Sequence, residues 1–263
     1  MSHVLADSAT MLNRNLIHMI RYPGLTVFLV GAPVVFLLLF VFVFGGTLGA
    51  GLPGMTGGTA GDYLNYLVPG LLLLTVGGGV AGTAAISVAM DMTEGIVARF
   101  RTMAISRTAV LTGHVLGTVV QGMLAVVLLV GVALLLGFRP TAGPLGWLGA
   151  IVTMIVVSLA VAQLAVAMGM ASRTVETASN LPMLILILPL LGSGFVPTAS
   201  MPAWLQGFAE YQPFTPFIET VRGFLFGTEL GIYPWLTLGW AVVIGVGGYV
   251  WARVLYERRS VTR

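Results

Sequence analysis

The sequence predicts an all-α integral membrane protein with six transmembrane helices, an interfacial helix before them, a cytoplasmic helix between spans two and three, and an outer re-entrant helical segment. Apolar residues make up 57% of its 263 residues and charged residues 8%, whereas soluble domains carry about 25% charged residues. The mean hydropathy is +1.00. Apolar stretches of roughly 20 residues, the length that crosses a bilayer, recur along the chain.

The first 22 residues predict a helix that lies flat on the membrane surface. Leu5, Leu12, Leu16 and Met19 recur at helical spacing, and the charged residues share the opposite face. Such an amphipathic helix binds at the lipid headgroups rather than crossing the bilayer. The sequence therefore predicts an interfacial helix in residues 1–22.

The long apolar stretches give the spans. We predict them at residues 25–44, 63–90, 110–136, 147–170, 181–197 and 235–256. In the second span, small residues recur at four-residue spacing, a pattern that permits close helix packing. Residues 198–234 hold two apolar pieces that are too short to cross, which is typical of re-entrant or interfacial helices.

The arginine distribution predicts the topology of these spans. All basic residues other than histidine are arginine, and with six spans both termini share one side of the membrane. Ten arginines fall on that side: Arg14, Arg21, Arg99, Arg101, Arg107, Arg173, Arg253, Arg258, Arg259 and Arg263. Only Arg139 and Arg222 fall on the other side. Because cytoplasmic loops carry the excess of basic residues, both termini are predicted to be cytoplasmic.

The cytoplasmic stretch 91–107 carries an apolar stripe flanked by Arg99 and Arg101, and Asp91 is a candidate helix cap. A short helix of this kind suits the membrane surface or a groove in a partner protein. The alternative is an ordinary charged loop that fixes topology. Periodicity alone leaves both interpretations open.

The chemistry that the sequence lacks also restricts its function. No Asp or Glu lies in the middle of a span, which argues against ion-coupled transport and against an intramembrane hydrolase. The chain has no cysteine, so a thiolate metal site is excluded. We predict no catalytic, cofactor-binding or metal-binding residue and no nucleic-acid partner. Any uphill transport must therefore draw its energy from another chain.

Several motifs resemble those of a known family. Residues 94–107 match the pattern E-G-x-x-x-R-F/L-R-x-x-x-x-S-R, and residues 193–205 read S-G-F-V-P-x-x-x-M-P-x-W-L. Gln-Pro at 212–213 and E-T-V-R-G at 219–223 follow. In order and spacing the chain resembles the permease subunit of ABC-2 type exporters, in particular the daunorubicin-resistance branch. The resemblance covers nearly the whole chain.

This resemblance implies a machine of several chains in a bacterial plasma membrane, surrounded by lipid. The permease would pair with a second copy or a close paralogue and would carry two copies of a separate ABC ATPase, which would bind ATP and Mg²⁺. The segment 91–107 would be the coupling helix that docks into that ATPase. The implied coupling residues are Glu94, Gly95, Arg99, Phe100, Arg101 and Arg107.

The resemblance further implies that spans one, two and five line the substrate route and that residues 198–234 form an outer cap. We predict that the route and its outer gate involve Phe36, Phe40, Phe195, Trp204, Phe208, Glu219 and Arg222. Glu219 and Arg222 are three residues apart and can pair on one helix face. The pair is either a structural pin of the gate or a plain interfacial pair.

Together these features predict the permease of an ATP-driven exporter for hydrophobic or amphiphilic drugs or antibiotics. The same machine exporting a lipid or a glycolipid is the first alternative, because an apolar route serves both. A membrane scaffold or enzyme without a transport role is the second alternative, and it would need a catalytic set that the sequence does not display.

Overall fold

A computed structural model describes residues 23–50, 58–93 and 107–261. The predicted interfacial helix at 1–22 and most of the predicted coupling helix, residues 94–106, lie outside the described residues. Within the described ranges the regular secondary structure is helical, without a β-strand. The described residues thus form an all-helical bundle with long apolar helices, as the composition predicts.

The first two long helices each contain a π-helical segment. Helix α1 runs through Pro23–Leu39, a π-helical Phe40–Phe44 and Gly45–Ala50. Helix α2 consists of Ala60–Leu74, a π-helical Thr75–Val80 and Ala81–Thr93. At its start, Thr59 and Asp62 form a capping box, in which each side chain accepts the other's backbone N–H.

The remaining elements complete the bundle. They are α3 (Arg107–Leu135), α4 (Pro144–Ala171), α5 (Val175–Asn180), α6 (Met183–Leu190), α7 (Ala203–Tyr211), α8 (Phe214–Phe226) and α9 (Tyr233–Val261). A 3₁₀ turn at Thr198–Ser200 precedes α7. The predicted bounds of spans one to four and of span six lie within a few residues of the observed helix ends. The exceptions are the C-terminal ends of α1 and α9, which extend five or six residues beyond the predicted ends.

Five helices in the described part of the chain are long and apolar enough to cross a bilayer: α1, α2, α3, α4 and α9. The fifth predicted span, 181–197, is different. The apolar segment Val175–Leu190 is interrupted by a turn at 181–182, and turns replace the helix from residue 191 onward. Pro182 and Pro189 lie in this segment, and proline removes a backbone donor and ends or bends helices. By length alone this segment does not qualify as a span.

Helix α4 is the hub of the bundle, because it packs against α2, α3, α8 and α9. Small residues make the α2–α4 contact close. Ala81, Ala85 and Ala89 are buried, and a side chain at Gly169 of α4 would collide with the backbone of Ala85. The close approach predicted from the small-residue spacing in span two is therefore confirmed.

The bundle has two ends, which we name by the predicted topology. The outer end holds the first turns of α2, the 136–143 connection and the C-terminus of α8, joined by bonds such as Thr141 Oγ1 to the Phe226 carbonyl at 3.1 Å. At the same end Asn65 accepts a hydrogen bond from the backbone of Arg139. The inner end holds the last turn of α2 and the 172–174 connection. Arg139 and Arg222, the two arginines predicted to be outside, both lie at the outer end.

Candidate functional site

A cavity of about 460 Å³ lies between α1, α2 and the α5–α6 segment. Its wall consists of Ala32, Pro33 and Phe36 from α1, Leu74, Thr75, Gly78, Gly79, Gly82, Thr83 and Ile86 from α2, and Ser179, Asn180, Pro182, Met183 and Leu186 from the α5–α6 segment. No charged residue belongs to this wall. The cavity lies beside the inner part of α2, well below the capped outer end of that helix.

The two threonines of α2 that line the cavity donate their hydroxyl hydrogen bonds to backbone carbonyls of the same helix. Thr75 Oγ1 donates to the Leu71 carbonyl, and Thr83 Oγ1 donates to the Gly79 carbonyl, both at 2.8 Å. Each hydroxyl is left with acceptor capacity only. This part of the wall therefore offers a ligand mostly apolar contact and few donors.

The π-helical segment Thr75–Val80 shapes the cavity wall. It contains three consecutive glycines, and a side chain at Gly78 would overlap the side chain of Leu186 on α6. A side chain at Gly77 would collide with the ring of Phe214. Because glycine lacks a Cβ, both neighbours can approach the helix backbone. Single-turn π-helical insertions occur frequently at functional sites.

A cluster of aromatic side chains extends from the cavity toward the outer end. The ring of Phe40 lies 4.9 Å from that of Phe195, 6.4 Å from Phe36 and 5.6 Å from Phe44, measured between centroids. These spacings are those of interacting aromatic pairs. Phe36 also lines the cavity, so this aromatic cluster continues the cavity wall outward. The structure brings together three of the predicted route residues, Phe36, Phe40 and Phe195.

Arg222 joins three separate parts of the chain next to this cluster. Its Nη1 donates to Glu219 Oε1, and its Nη2 donates to the carbonyls of Tyr66 at 3.1 Å and Ser193 at 2.9 Å. Its guanidinium also lies 4.0 Å from the centroid of the Tyr66 ring. Arg222 is only 8% exposed. We call this group of Arg222, Glu219, Tyr66 and Ser193 the Arg222 lock.

Two tyrosines of α2 donate hydrogen bonds to the turn at 191–196, which contains Ser193. The Tyr66 hydroxyl donates to the Ser193 carbonyl at 2.9 Å, and the Tyr63 hydroxyl donates to the Phe195 carbonyl at 3.3 Å. Gly70 of α2 packs directly on Gly194, where any side chain would overlap backbone atoms. The turn that carries Phe195 is thus bound to α2 at three successive residues, Ser193, Gly194 and Phe195.

A further network fixes this turn to α8. The Ser193 backbone N–H donates to Thr215 Oγ1 at 3.2 Å, and the Thr215 hydroxyl donates to the Ala209 carbonyl at 2.5 Å. Gln212 Nε2 donates to the Leu188 carbonyl at 3.2 Å and to Thr215 Oγ1 at 3.1 Å. Buried polar groups of this kind are stabilising when their partners are in place. The network connects the end of α6 to the start of α8.

The remaining predicted gate residues lie elsewhere. Trp204 is 81% exposed and Phe208 is 50% exposed, both on α7. Neither belongs to the aromatic cluster or lines the cavity. Of the predicted coupling residues, Arg107 is the first residue of α3. The other five lie outside the described residues: Glu94, Gly95, Arg99, Phe100 and Arg101.

Sequence reasoning missed the partners of Arg222. Tyr66 is 156 residues away along the chain and Ser193 is 29 residues away, so no local spacing connects them. The available signal was a tyrosine placed inside an apolar span and the G-S-G sequence at 192–194, each of which marks a polar or close backbone contact.

The matched family agrees with this architecture. A family model described as ABC-2 type transporter matches residues 8–226. The chain belongs to the ABC-2 type transporter family. It is therefore a multi-pass membrane permease, and the family resemblance predicted from the motifs is confirmed.

Curated relatives of this ABC-2 permease are named for drug resistance. The chain is 30% identical over 229 residues to a daunorubicin resistance ABC transporter permease protein, DrrB1 of Streptomyces coeruleorubidus, covering 84% of this chain and 77% of that protein. It is 25% identical over 181 residues to a probable doxorubicin resistance ABC transporter permease protein, DrrC of Mycobacterium tuberculosis, covering 66% of this chain and 65% of that protein. The chain is thus a homologue of drug-resistance permeases.

Proposed function

We propose that this permease is the membrane subunit of an ATP-driven exporter that moves hydrophobic or amphiphilic drugs out across the bacterial plasma membrane. One observation carries the proposal: an apolar cavity without charged wall residues continues outward, through Phe36, into an aromatic cluster. A binding site with an apolar wall and few polar groups suits an amphiphilic small molecule. The drug names of the relatives support the same cargo class.

We infer the direction of the route from the predicted topology and the family resemblance, and the position of the cavity is consistent with both. The cavity lies between α1, α2 and the α5–α6 segment near the inner end, and the Phe40–Phe195 contact lies outward of Phe36. Cargo would enter from the cytoplasm or the inner lipid leaflet and leave when the Phe195 turn separates from α1. The Arg222 lock is the part of the gate that holds this turn in the closed position.

Six crossings accommodate this route, with both termini in the cytoplasm. The α5–α6 segment leads from Ser179 at the cavity to Ser193, which contacts Tyr66 near the outer end of α2. The segment therefore passes from the inner to the outer end even though its helix is short and broken. Turns inside the bilayer are tolerated where protein surrounds them, and here α2 and α8 supply their hydrogen bonds.

The energy is supplied in this proposal by a separate ABC ATPase that binds ATP and Mg²⁺ and is present in two copies. The coupling residues toward it are Glu94, Gly95, Arg99, Phe100, Arg101 and Arg107. A second permease copy would cover α1 and α6, whose exposed side chains include Phe42, Val43, Met183 and Leu184. Two copies meeting there would enclose a wider route than one chain offers.

The test is reconstitution of the permease with its cognate ABC ATPase in proteoliposomes. Daunorubicin and doxorubicin serve as fluorescent probes, and a fluorescent phospholipid serves as the lipid alternative. We expect ATP-dependent movement of the drugs and stimulation of ATP hydrolysis by them. Movement of the phospholipid alone would favour the lipid exporter. The exporter function would be refuted if no probe moved and no probe stimulated ATP hydrolysis.

The coupling role has its own variants. Glu94→Arg and Arg101→Glu should each abolish drug-stimulated ATP hydrolysis while the permease still inserts in the membrane. Their matched control is Glu229→Arg, which reverses a charge in the connection before α9. If Glu94→Arg and Arg101→Glu both export at the wild-type rate, residues 91–107 are a topogenic loop.

A further inference from the structure

A buried polar cluster lies at the inner end, apart from the cavity and from the Arg222 lock. His114 of α3 places its Nε2 3.1 Å from Oδ2 of Asp91, and its Nδ1 lies 3.4 Å from Oγ of Ser87. Asp91 is 6% exposed and His114 is 5% exposed. Ser87 and Asp91 are four residues apart on one face of α2, so both contact the same imidazole ring. We call these three residues the His114 clamp.

The clamp joins the two helix ends between which the coupling segment runs. Asp91 lies in the last turn of α2, which ends at Thr93, and His114 lies two turns into α3, which begins at Arg107. Residues 94–106, which connect these ends, hold most of the predicted coupling residues. The clamp is therefore a polar contact between the two helices whose ends this segment joins.

The same helix connects the clamp to the cavity. Thr83 and Ile86 line the cavity and lie within the eight residues before Asp91 on the continuous helix Ala81–Thr93. At 1.5 Å per residue, the distance from Thr83 to Asp91 is about 12 Å of rigid helix. A rotation or shift of α2 at the clamp would therefore move the cavity wall.

The burial of the clamp argues for a defined geometry. A buried carboxylate is costly unless it is paired and hydrogen-bonded, and here the imidazole is a partner of Asp91. Both ring nitrogens of His114 lie near polar atoms of α2, so the ring cannot turn without losing a contact. The clamp fixes the angle of α2 relative to α3 more narrowly than apolar packing would.

A catalytic role for these residue types does not fit their surroundings. Serine, histidine and aspartate form the triad of many hydrolases, in which the serine must reach a substrate carbonyl. None of Ser87, Asp91 and His114 belongs to the cavity wall. Ser87 and Asp91 also come from a single helix turn and contact opposite sides of the ring, an arrangement that serves to hold the ring.

We propose that His114 and Asp91 are positioning residues for energy coupling, which transmit movement of the ATPase-docking segment to the α2 wall of the cavity. This proposal rests on the proposed function. It adds a specific intramolecular route between the ATPase contact and the cargo site, carried by Ser87, Asp91 and His114.

The experiment measures two quantities on the permease–ATPase complex in proteoliposomes, the rate of ATP hydrolysis and the amount of doxorubicin moved per ATP. His114→Leu removes both ring contacts, and Asp91→Asn keeps the shape but removes the charge. We expect each variant to assemble with the ATPase and hydrolyse ATP, while the drug moved per ATP falls about fivefold or more, the lower range of typical coupling effects. The exchange of Asp91→His with His114→Asp should restore part of the loss.

Thr118→Val is the matched control. Thr118 is buried on α3 one turn from the clamp and donates to the His114 carbonyl at 2.7 Å, so its replacement removes a buried hydrogen bond without touching the ring. We expect its ratio of drug to ATP to stay at the wild-type value. A lower thermal stability of the His114 and Asp91 variants with an unchanged ratio would show a merely structural role and overturn the proposal.

The two proposals fail in different ways. If the wild-type complex moves neither doxorubicin nor the phospholipid, the exporter function fails, and the coupling role fails with it. If it moves the phospholipid alone, the amount of phospholipid moved per ATP replaces the amount of doxorubicin in the comparison. If the wild-type complex exports and Asp91→Asn and His114→Leu export with the same ratio, only the His114 clamp is refuted. If His114→Leu does not accumulate in the membrane, Asp91→Asn alone decides, because it preserves the volume of the side chain.

Discussion

The two parts of helix α2 contact the α5–α6 region in different ways. In the outer part, Tyr63 and Tyr66 donate hydrogen bonds to the backbone of the 191–196 turn, and Gly70 lies against Gly194. In the inner part, the π-helical segment Thr75–Val80 meets α6 through apolar contacts and opens onto the cavity. The outer part of this helix thus contacts its neighbour through hydrogen bonds, and the inner part does so through apolar side chains.

This difference bears on how a transporter can open. Hydrogen bonds to backbone carbonyls have a defined geometry, so the outer contact has two states, made or broken. Apolar contacts such as that of Gly78 with Leu186 are non-directional and tolerate small shifts. Under the proposed export function, the cavity wall would adapt to cargo while the outer turn would switch.

Breaking the Arg222 lock should have the largest effect on stability. Arg222→Ala leaves the Glu219 carboxylate without its partner and removes a hydrogen bond from the carbonyls of both Tyr66 and Ser193. Removing one partner of a fully buried pair costs about 3–5 kcal/mol, and because the Glu219 side chain is partly exposed we expect a loss near the lower end of that range. We expect a lower apparent Tm in detergent and impaired export, with Arg173→Ala, an exposed arginine in the 172–174 connection, as the control.

The lock also predicts the outcome of a charge exchange. Glu219→Arg combined with Arg222→Glu restores an ion pair but places a carboxylate next to the carbonyl oxygens of Tyr66 and Ser193, which repel it. The exchange should therefore stay destabilised. Full recovery of Tm and export would mean that Glu219 and Arg222 act as a plain pair and that the carbonyl contacts contribute nothing.

The aromatic cluster gives the second comparison. Phe195→Ala removes a buried ring that contacts Phe40, and such a truncation typically costs about 3 kcal/mol. Trp204→Ala removes an exposed ring on α7 and should change stability by less than about 0.5 kcal/mol. Equal losses of Tm or of export in the two variants would place Trp204 in the gate after all.

Glycines of the two parts of α2 should respond oppositely to alanine. In Gly70→Ala the new methyl would overlap the backbone of Gly194, which cannot move without breaking the turn, and overpacking costs about 1–3 kcal/mol. In Gly82→Ala the methyl meets nothing within 4 Å. There the higher helix propensity of alanine should leave stability unchanged or raised by up to about 1 kcal/mol. Thermal unfolding of both variants checks the contrast.

A larger side chain at the same inner position should affect transport without unfolding the protein. Gly82→Leu fills part of the cavity, so drug stimulation of ATP hydrolysis should fall while Tm stays within the error of the wild type. Gly239→Leu is the control, because Gly239 is an exposed glycine in α9 with nothing within 4 Å of its Cβ position. Unchanged drug stimulation in Gly82→Leu would show that cargo does not occupy this cavity.

The sequence predicted the fold well where one rule dominated. Long apolar stretches gave α2, α3 and α4 with boundaries close to the observed ends, because a span must bury its backbone in one continuous helix. The structure of the segment after residue 175 was harder to predict, because turns and two prolines interrupt the helix there. Its path depends on contacts with α2 and α8, which local sequence does not contain.

The site was predicted in part for the same reason. The Glu219–Arg222 pair follows from helical spacing, whereas the bonds of Arg222 to Tyr66 and Ser193 require the folded chain. Helical periodicity predicts that α7 is amphipathic, but it does not predict what its apolar face packs against. Phe208 on this helix is half exposed. The sequence likewise suggested Asp91 as a helix cap, whereas it lies in the last turn of α2 facing His114.

The π-helical segment of α2 makes one part of this helix tolerant of a change in length. A π-helical turn holds an extra residue within an otherwise α-helical chain. Deleting one glycine from residues 77–79 would therefore let the segment close into an α-helix while the residues on either side keep their facing. One residue added within the regular helix Ala81–Thr93, before Ile86, would instead turn everything after it by about 100°. Ile86 would then leave the cavity wall and Asp91 would face away from His114.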